Sequence, residues 1–474
     1  MGSLILLILP KKGILAINII KEEKDKVIGG LICTIKNLFV ILKLILLYDT
    51  SASNFQFQLI FFGKLVGGLD GISLWLIFLV NLIIPIVILD SWKTIKKDLG
   101  IYLNLVLFVN FWAIAVFKVL DIFLFYISFE AILIPKYFLI GFYGSRNKKI
   151  EEAQNKFFIY TLFGSLFLLI GLLTIYLQTG TTDYQLILTR PIKAEYQTWL
   201  FLAFFIAFAI KTPMWPFHIW LPVAHGESST GTSVILAAIL LKLGSYGFKR
   251  YAIPLFTEAA GELGPLVITL AIISIIYSCL TAFSLLDLKS IIAYSSIAHK
   301  NVGVIGIFSN DLNGISGAYL YSISHGLASA GLFILAGNIY ERYHTKTLKY
   351  YRGLVIFKPI YITLFFLFSL SNLSFPLSLG FIAELKILLS TLEISPFISK
   401  VTLLVTILLP FYFIWTFQRI SFGKLSNMLP VLFQDTNIKE WNILAPLLIL
   451  TIIFGIFPSI ILDTTIISLY NLIN

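Results

Sequence analysis

Charge is scarce in this 474-residue sequence: 12% of residues are Asp, Glu, Lys or Arg, about half the roughly 25% typical of soluble globular domains. Cysteine is scarcer still, with only Cys33 and Cys279, both inside apolar runs. No CxxC and no Cys/His cluster occurs, which argues against an iron–sulfur or structural zinc site. No GxGxxG follows a strand and no P-loop is present, so nothing is built to cradle a dinucleotide or a nucleoside triphosphate. The apolar Met1–Leu9 stretch precedes Lys11 and Lys12, the reverse of signal-peptide order, and no Arg/Ser-rich transit peptide is seen. Insertion where the chain is made is the expectation. The formal net charge of +11 would suit nucleic acid if it formed a patch. The basic residues lie instead mostly in short loops, so no nucleic-acid partner is expected.

What fills the chain is apolar sequence. Hydrophobic residues make up 58% of it, in recurrent runs of roughly 20 residues, each long enough to cross a hydrocarbon core about 30 Å thick. A spanning backbone must satisfy its own hydrogen bonds, so these runs are expected to be helices. They fall near 3–20, 28–48, 71–90, 101–120, 122–142, 157–178, 197–221, 232–252, 264–283, 290–309, 313–340, 360–389, 401–418 and 442–464. The fold class is thus an all-α polytopic membrane protein of about fourteen transmembrane helices. Loops after odd-numbered runs hold most of the basic residues, among them Lys93/Lys96/Lys97, Arg146/Lys148/Lys149 and Arg342/Lys346/Lys349/Arg352. Those loops should face the inside, matrix or cytoplasm, with both termini outside.

Two runs should be broken. Lys211-Thr-Pro213-Met-Trp-Pro216 puts two prolines in mid-span, with Pro222 beyond; Ser371-Asn372-Leu-Ser-Phe-Pro376-Leu-Ser-Leu-Gly380 does the same with proline, glycine and polar groups. Proline removes a helix donor and clashes with the preceding turn. Bare backbone at membrane depth survives only in protein or beside a wet cavity. The breaks lie five helices apart, so they would hold corresponding places in two inverted five-helix repeats, a pointer to a transport pathway. The expected division is 1–100 for the first three helices, 101–252 for one repeat broken near 211–222, 253–420 for the other broken near 371–380, and 421–474 for the last helix.

Glu130, Lys211, Lys242, His299, His325 and Glu384 sit centrally in otherwise apolar helices. A charge at a helix centre costs roughly 2.5–3.5 kcal/mol on insertion scales, so function is the default explanation. Burial disfavours a lysine's charge and a nearby carboxylate restores it. Moving Glu130 against Lys211 would therefore switch whether the lysine holds its proton. Imidazoles accept and donate near neutral pH, which suits His299 and His325 to a relay. The bland rivals are a structural salt bridge or snorkelling for the acids and lysines, and an interhelical hydrogen bond for the histidines. For Lys118, Lys136, Lys300 and Lys386, nearer helix ends or beside another charge, snorkelling is the favoured reading. His218 and His225 are seven residues apart with Pro222 between them, not a helical ligand spacing, so no metal site is expected. With Glu227 they suggest a coupling loop at the interface.

These residues resemble a family. Phe129-Glu130 to Pro135 and Gly141, Lys211-Thr-Pro213-Met-Trp-Pro216-Phe-His218, Leu240-Leu-Lys242-Leu-Gly244-Ser-Tyr246-Gly247, Asp287-Leu-Lys289, His299-Lys-Asn301, Ser324-His325-Gly326 and Phe381-Ile-Ala-Glu384 are similar to the antiporter-like subunits of respiratory NADH:ubiquinone oxidoreductase (complex I), subunit 4 in particular. Gln178-Thr-Gly-Thr-Thr-Asp183 favours that branch. The resemblance spans about 70–465; residues 1–65 match poorly. It implies a hydrophilic axis in which Glu130 and Lys211 modulate, Lys242 and His299 continue, and Glu384 releases protons outward. It implies membership of a proton-translocating NADH:ubiquinone reductase with no redox site in this chain. NADH, FMN, iron–sulfur clusters and ubiquinone would belong to other subunits, so no cofactor is expected here. Implied partners are other membrane-arm subunits, including neighbouring antiporter-like ones, and membrane lipids, with cardiolipin a candidate. The implied location is the mitochondrial inner membrane, with the bacterial cytoplasmic membrane as the alternative. Val223 stands where an acid is frequent and Lys300 where an apolar residue is usual. Rival functions are a cation/proton antiporter or membrane-bound hydrogenase subunit and, from another class, a non-pumping structural or assembly subunit.

Overall fold

The computed structural model describes residues 2–20, 22–61, 64–144, 149–190, 192–424 and 435–472. Arg146 and Lys148, two of the loop residues used to orient the chain, lie outside them. Every predicted apolar run falls on helix, from Gly2–Ile19 to Ile438–Ile456, with a further short helix Ser459–Tyr470 after it. Among the described residues, ten helices are long and apolar enough to cross a membrane. An antiparallel hairpin of Gln56–Phe61 against Lys64–Leu69 is an addition to the helical plan. Its second strand docks on the bundle where the Leu120 N–H donates to Val66 O at 3.1 Å.

Aspartates start several helices. Asp70 caps Gly71–Thr94 in a reciprocal box with Ser73, and Asp121, Asp183, Asp287 and Asp311 each accept a backbone N–H within the following turn. Each cap satisfies one of the donors that a helix start leaves open. They also mark the two ends of the bundle. At one end Asp70 pairs with Arg250, Asp121 with Thr182, and Asn471 donates to Ser53 O. At the other, Lys346 reaches Gly226 and Glu227, Lys289 reaches Ser228 O, and Arg342 binds Glu440. The second end gathers the loops after odd-numbered helices, the ones the basic-residue bias turns inward.

The layout inverts a soluble protein. Thr230–Leu255 and Leu312–Tyr343 are enclosed along their central stretches, whereas Lys149–Thr179 turns Ile159, Phe163, Leu166, Ile170 and Leu177 outward. Leu312–Tyr343 is the hub, packing on Leu379–Ile394, Leu288–Ile307, Ile438–Ile456 and Pro359–Asn372. Glycine allows the closest approaches: a Cβ on Gly247 would lie 2.4 Å from the Phe208 ring, and one on Gly244 2.8 Å from Thr212 N. Ala194–Lys211 thereby packs directly against the helix that carries Lys242.

Candidate functional site

Both expected breaks occur. One helix ends at Lys211 and resumes at Trp220; the other ends at Asn372 and resumes at Leu379. The backbone groups freed at the first break find side chains. Trp220 Nε1 donates to Ile210 O at 3.0 Å, the Trp215 N–H donates to Ser274 Oγ at 2.7 Å, and Asn301 Nδ2 donates to Pro213 O at 3.2 Å. That accounting is what a non-helical turn inside a membrane protein requires. The second break carries left-handed residues at Ser374 (φ 54°) and Leu377 (φ 77°). Gly455 lets the Ile438–Ile456 helix close on it, since a Cβ there would lie 2.1 Å from Leu377 O.

The helix carrying Lys242 is not a uniform α-helix. Widened π turns occupy Leu236–Leu240 and Phe248–Ala252, on either side of the lysine. Such turns disturb the regular ladder and are frequent at functional sites. In the first, Ala237 O accepts Lys242 Nζ at 2.7 Å. On its other side Lys242 Nζ meets His325 Nδ1 at 3.3 Å. The His325 and His299 rings are 5.8 Å apart between centroids, and each keeps its Nε2 buried and without a partner. His299 Nδ1 bonds the Tyr321 hydroxyl, which donates to Glu384 Oε1 at 2.6 Å. Four of the six predicted residues thus line up in one series, Lys242, His325, His299 and Glu384. Tyr321 is the member that sequence reasoning missed. It stands one helical turn from His325, four residues away, and that spacing is the signal that could have singled it out.

Glu130 and Lys211 lie within electrostatic reach of each other without sharing a hydrogen bond. Lys211 Nζ rests 4.6 Å from the Phe129 ring centroid and has no hydrogen-bond partner; nor does Glu130 Oε1. A cation–π contact is worth roughly 0.5–2 kcal/mol, whereas withdrawing an ion from water costs several. Stability does not explain Lys211.

Three of the four lysines expected to snorkel do not. Lys118, Lys136 and Lys300 are buried, Lys118 with its stem beside Gly67 of the second strand. Lys136 Nζ donates to Thr232 O at 3.4 Å. Lys386 is partly exposed and reaches Ser316 Oγ at 3.4 Å. Lys249, seven residues beyond Lys242, is also buried, 5.0 Å from the Tyr319 ring centroid. His218 and His225 do not converge: His218 packs edge-on against Tyr277, while His225 stacks on Phe333 with centroids 4.4 Å apart. Glu227 pairs with Lys346 at 3.1 Å. At that end burial pushes the Asp287 carboxyl above the usual range, with Lys346 opposing the shift.

Residues 120–410 match the membrane family described as NADH:quinone oxidoreductase/Mrp antiporter. The NADH-ubiquinone oxidoreductase chain 4 of Chondrus crispus is 43% identical over 472 residues, covering 98% of this chain and 96% of its own. This chain belongs to the NADH-ubiquinone oxidoreductase chain 4 family. The chain 4 of Arabidopsis thaliana is 41% identical over 482 residues, covering 100% of this chain and 95% of its own. Both alignments extend well into residues 1–65, so the likeness is longer than the motifs alone indicate. Among solved structures, a chain of Thermus thermophilus respiratory complex I superposes with a TM-score of 0.87 at 28% identity over the whole of both chains. A chain of the Mrp complex from Dietzia shares the fold, with a TM-score of 0.88 at 18% identity over 100% of this chain and 97% of its own. With the apolar spans, this family makes the chain a multi-pass membrane protein.

Proposed function

We propose that this chain is a proton-translocating membrane-arm subunit of mitochondrial NADH:ubiquinone oxidoreductase, assembled beside other antiporter-like subunits. The observation that carries the reading is the series from buried Lys242 through His325, His299 and Tyr321 to half-buried Glu384. Each member can give up a proton at one atom while taking one at another, or can hold and release it. Lys242 Nζ hands a proton to His325 Nδ1, and His325 releases one from Nε2 toward His299. An imidazole charged on one nitrogen and discharged on the other moves charge without turning over. His299 Nδ1–H then donates to the Tyr321 oxygen as the Tyr321 O–H passes its proton to Glu384.

Glu130 and Lys211 stand upstream as the modulating pair. A lysine without a fixed partner is sensitive to any shift of the nearby carboxylate. The two broken helices would hold matching places in two inverted repeats, which supports a path through the middle of the bundle. Redox chemistry with NADH, flavin, iron–sulfur clusters and ubiquinone belongs, in this reading, to other subunits, whose energy arrives as conformational and charge changes. The test is the proton-to-NADH ratio of the reconstituted native complex carrying Lys242→Met. The ratio should fall while electron transfer to artificial acceptors persists. An unchanged ratio in a fully assembled complex would refute the reading.

A further inference from the structure

Two cavities open at the end of the bundle that gathers the loops after odd-numbered helices. One, of about 440 Å³, is lined by Asp90, Asn338, Glu341, Lys439 and Glu440. The other, of about 560 Å³, shares Thr94 and Glu341 with it and reaches Lys289 and Ser228–Thr230. Asp90 is 5% exposed, and its Oδ2 is buried without a hydrogen-bond partner; Asn338 Nδ2 is likewise unpartnered. Both residues line the cavity, and a buried polar atom without a protein partner calls for an ordered water or a role in handling protons. Asp90 and Glu341 are within electrostatic reach of each other, and Lys289, Lys439 and Glu440 also act on Asp90. We infer that Asp90 and Glu341 form the site that collects protons from the inside-facing surface for this subunit.

The route onward is laid out in hydroxyls. Thr230 Oγ1 donates to Glu341 Oε1 at 3.4 Å. Next to it, Ser229 and Thr232 share a hydroxyl bond of 2.9 Å, and Ser228 and Ser233 one of 2.7 Å. Lys136 Nζ touches Thr232 O, and Ser233 Oγ donates to the carbonyl of His225. Glu341 and His325 lie on the same helix, sixteen residues or roughly 24 Å apart. Phe333 is halfway between them in sequence and carries the stacked His225 ring, whose two nitrogens are buried and unpartnered. Hydroxyl pairs thus run from the collecting pair toward the relay as far as His225, which lies within electrostatic reach of His325.

The inference rests on the proposed proton path, and the experiment separates the two. In the native complex, Asp90→Asn with Glu341→Gln is compared with Asp90→Glu, Glu341→Asp and Lys242→Met by proton-to-NADH ratio, with assembled complex measured in parallel. The neutral pair should lower the ratio to the Lys242→Met level, and the two conservative variants should restore most of it. If Lys242→Met lowers the ratio and the neutral pair does not, the collecting site is wrong and the path stands. If neither conservative variant restores what the neutral pair removes, the acids are structural and the inference falls. If Lys242→Met itself leaves the ratio unchanged, the path falls and the inference with it.

Discussion

The two ends of the buried charge series are built on different terms. At Glu130–Lys211 the ammonium lies over an aromatic face, and neither Lys211 Nζ nor Glu130 Oε1 has a hydrogen bond. From Lys242 to Glu384 most steps are hydrogen bonds: a carbonyl and an imidazole on the lysine, then, after a 5.8 Å ring-to-ring step, a second imidazole and a tyrosine bonded to a carboxylate. Loose partners suit a group that must change state when its surroundings shift. Fixed partners suit a wire. In the proposed reading the first region switches and the second conducts, although both contain a lysine and a glutamate.

Breaking the wire should have the largest effect. Glu384→Gln keeps the shape and removes the proton-holding oxygen, so outward release through this subunit should be lost, with Glu384→Asp retaining part. Proton-to-NADH ratios in vesicles, with quinone reductase activity alongside, check it; an unchanged ratio in Glu384→Gln would move the release point elsewhere. Disturbing the switch should cost less. Glu130→Ala leaves the relay intact, so coupled proton transfer should drop while some persists, whereas electron transfer to artificial acceptors is unaffected. If Glu130→Ala matched Glu384→Gln in severity, the division into switch and wire would fail.

The smallest functional effect is expected at the seam between the regions. Gly247→Val forces a side chain into the Phe208 ring, an overpacking penalty of about 1–3 kcal/mol. Thermal stability of the purified complex should fall, with the ratio per assembled complex nearly unchanged. A large change in ratio without loss of stability would mean that this contact transmits the switch.

Much of this was legible in residue order because membranes punish departures from simple patterns. Apolar runs must be helices, mid-span prolines at 213, 216 and 376 must break them, and an ionisable group at a helix centre must have a use. Tyr321 escaped because tyrosine is ordinary in such helices, and only its contacts with His299 and Glu384 distinguish it. The π turns around Lys242 have no residue signature: Leu236–Leu240 is as apolar as its neighbours. Lys136 and Lys300 were misplaced because position along a helix does not say whether it faces lipid or protein. Asp90 and Glu341 lie at the ends of apolar runs, where acids usually meet water; their enclosure comes from Ile438–Ile456 and Thr230–Leu255 packing around them. The paired strands Gln56–Phe61 and Lys64–Leu69 lie between the second and third apolar runs, outside the helical pattern.

The central claim is that protons pass through a connected chain ending in Tyr321 and Glu384. Tyr321→Phe tests it most directly, because the ring and its packing stay while the one hydroxyl joining His299 to Glu384 disappears. In the assembled complex, reconstituted into vesicles, the proton-to-NADH ratio should fall as far as it does in Glu384→Gln. A wild-type ratio in Tyr321→Phe, with Glu384→Gln still impaired, would contradict the account by showing that Glu384 receives its proton by another route.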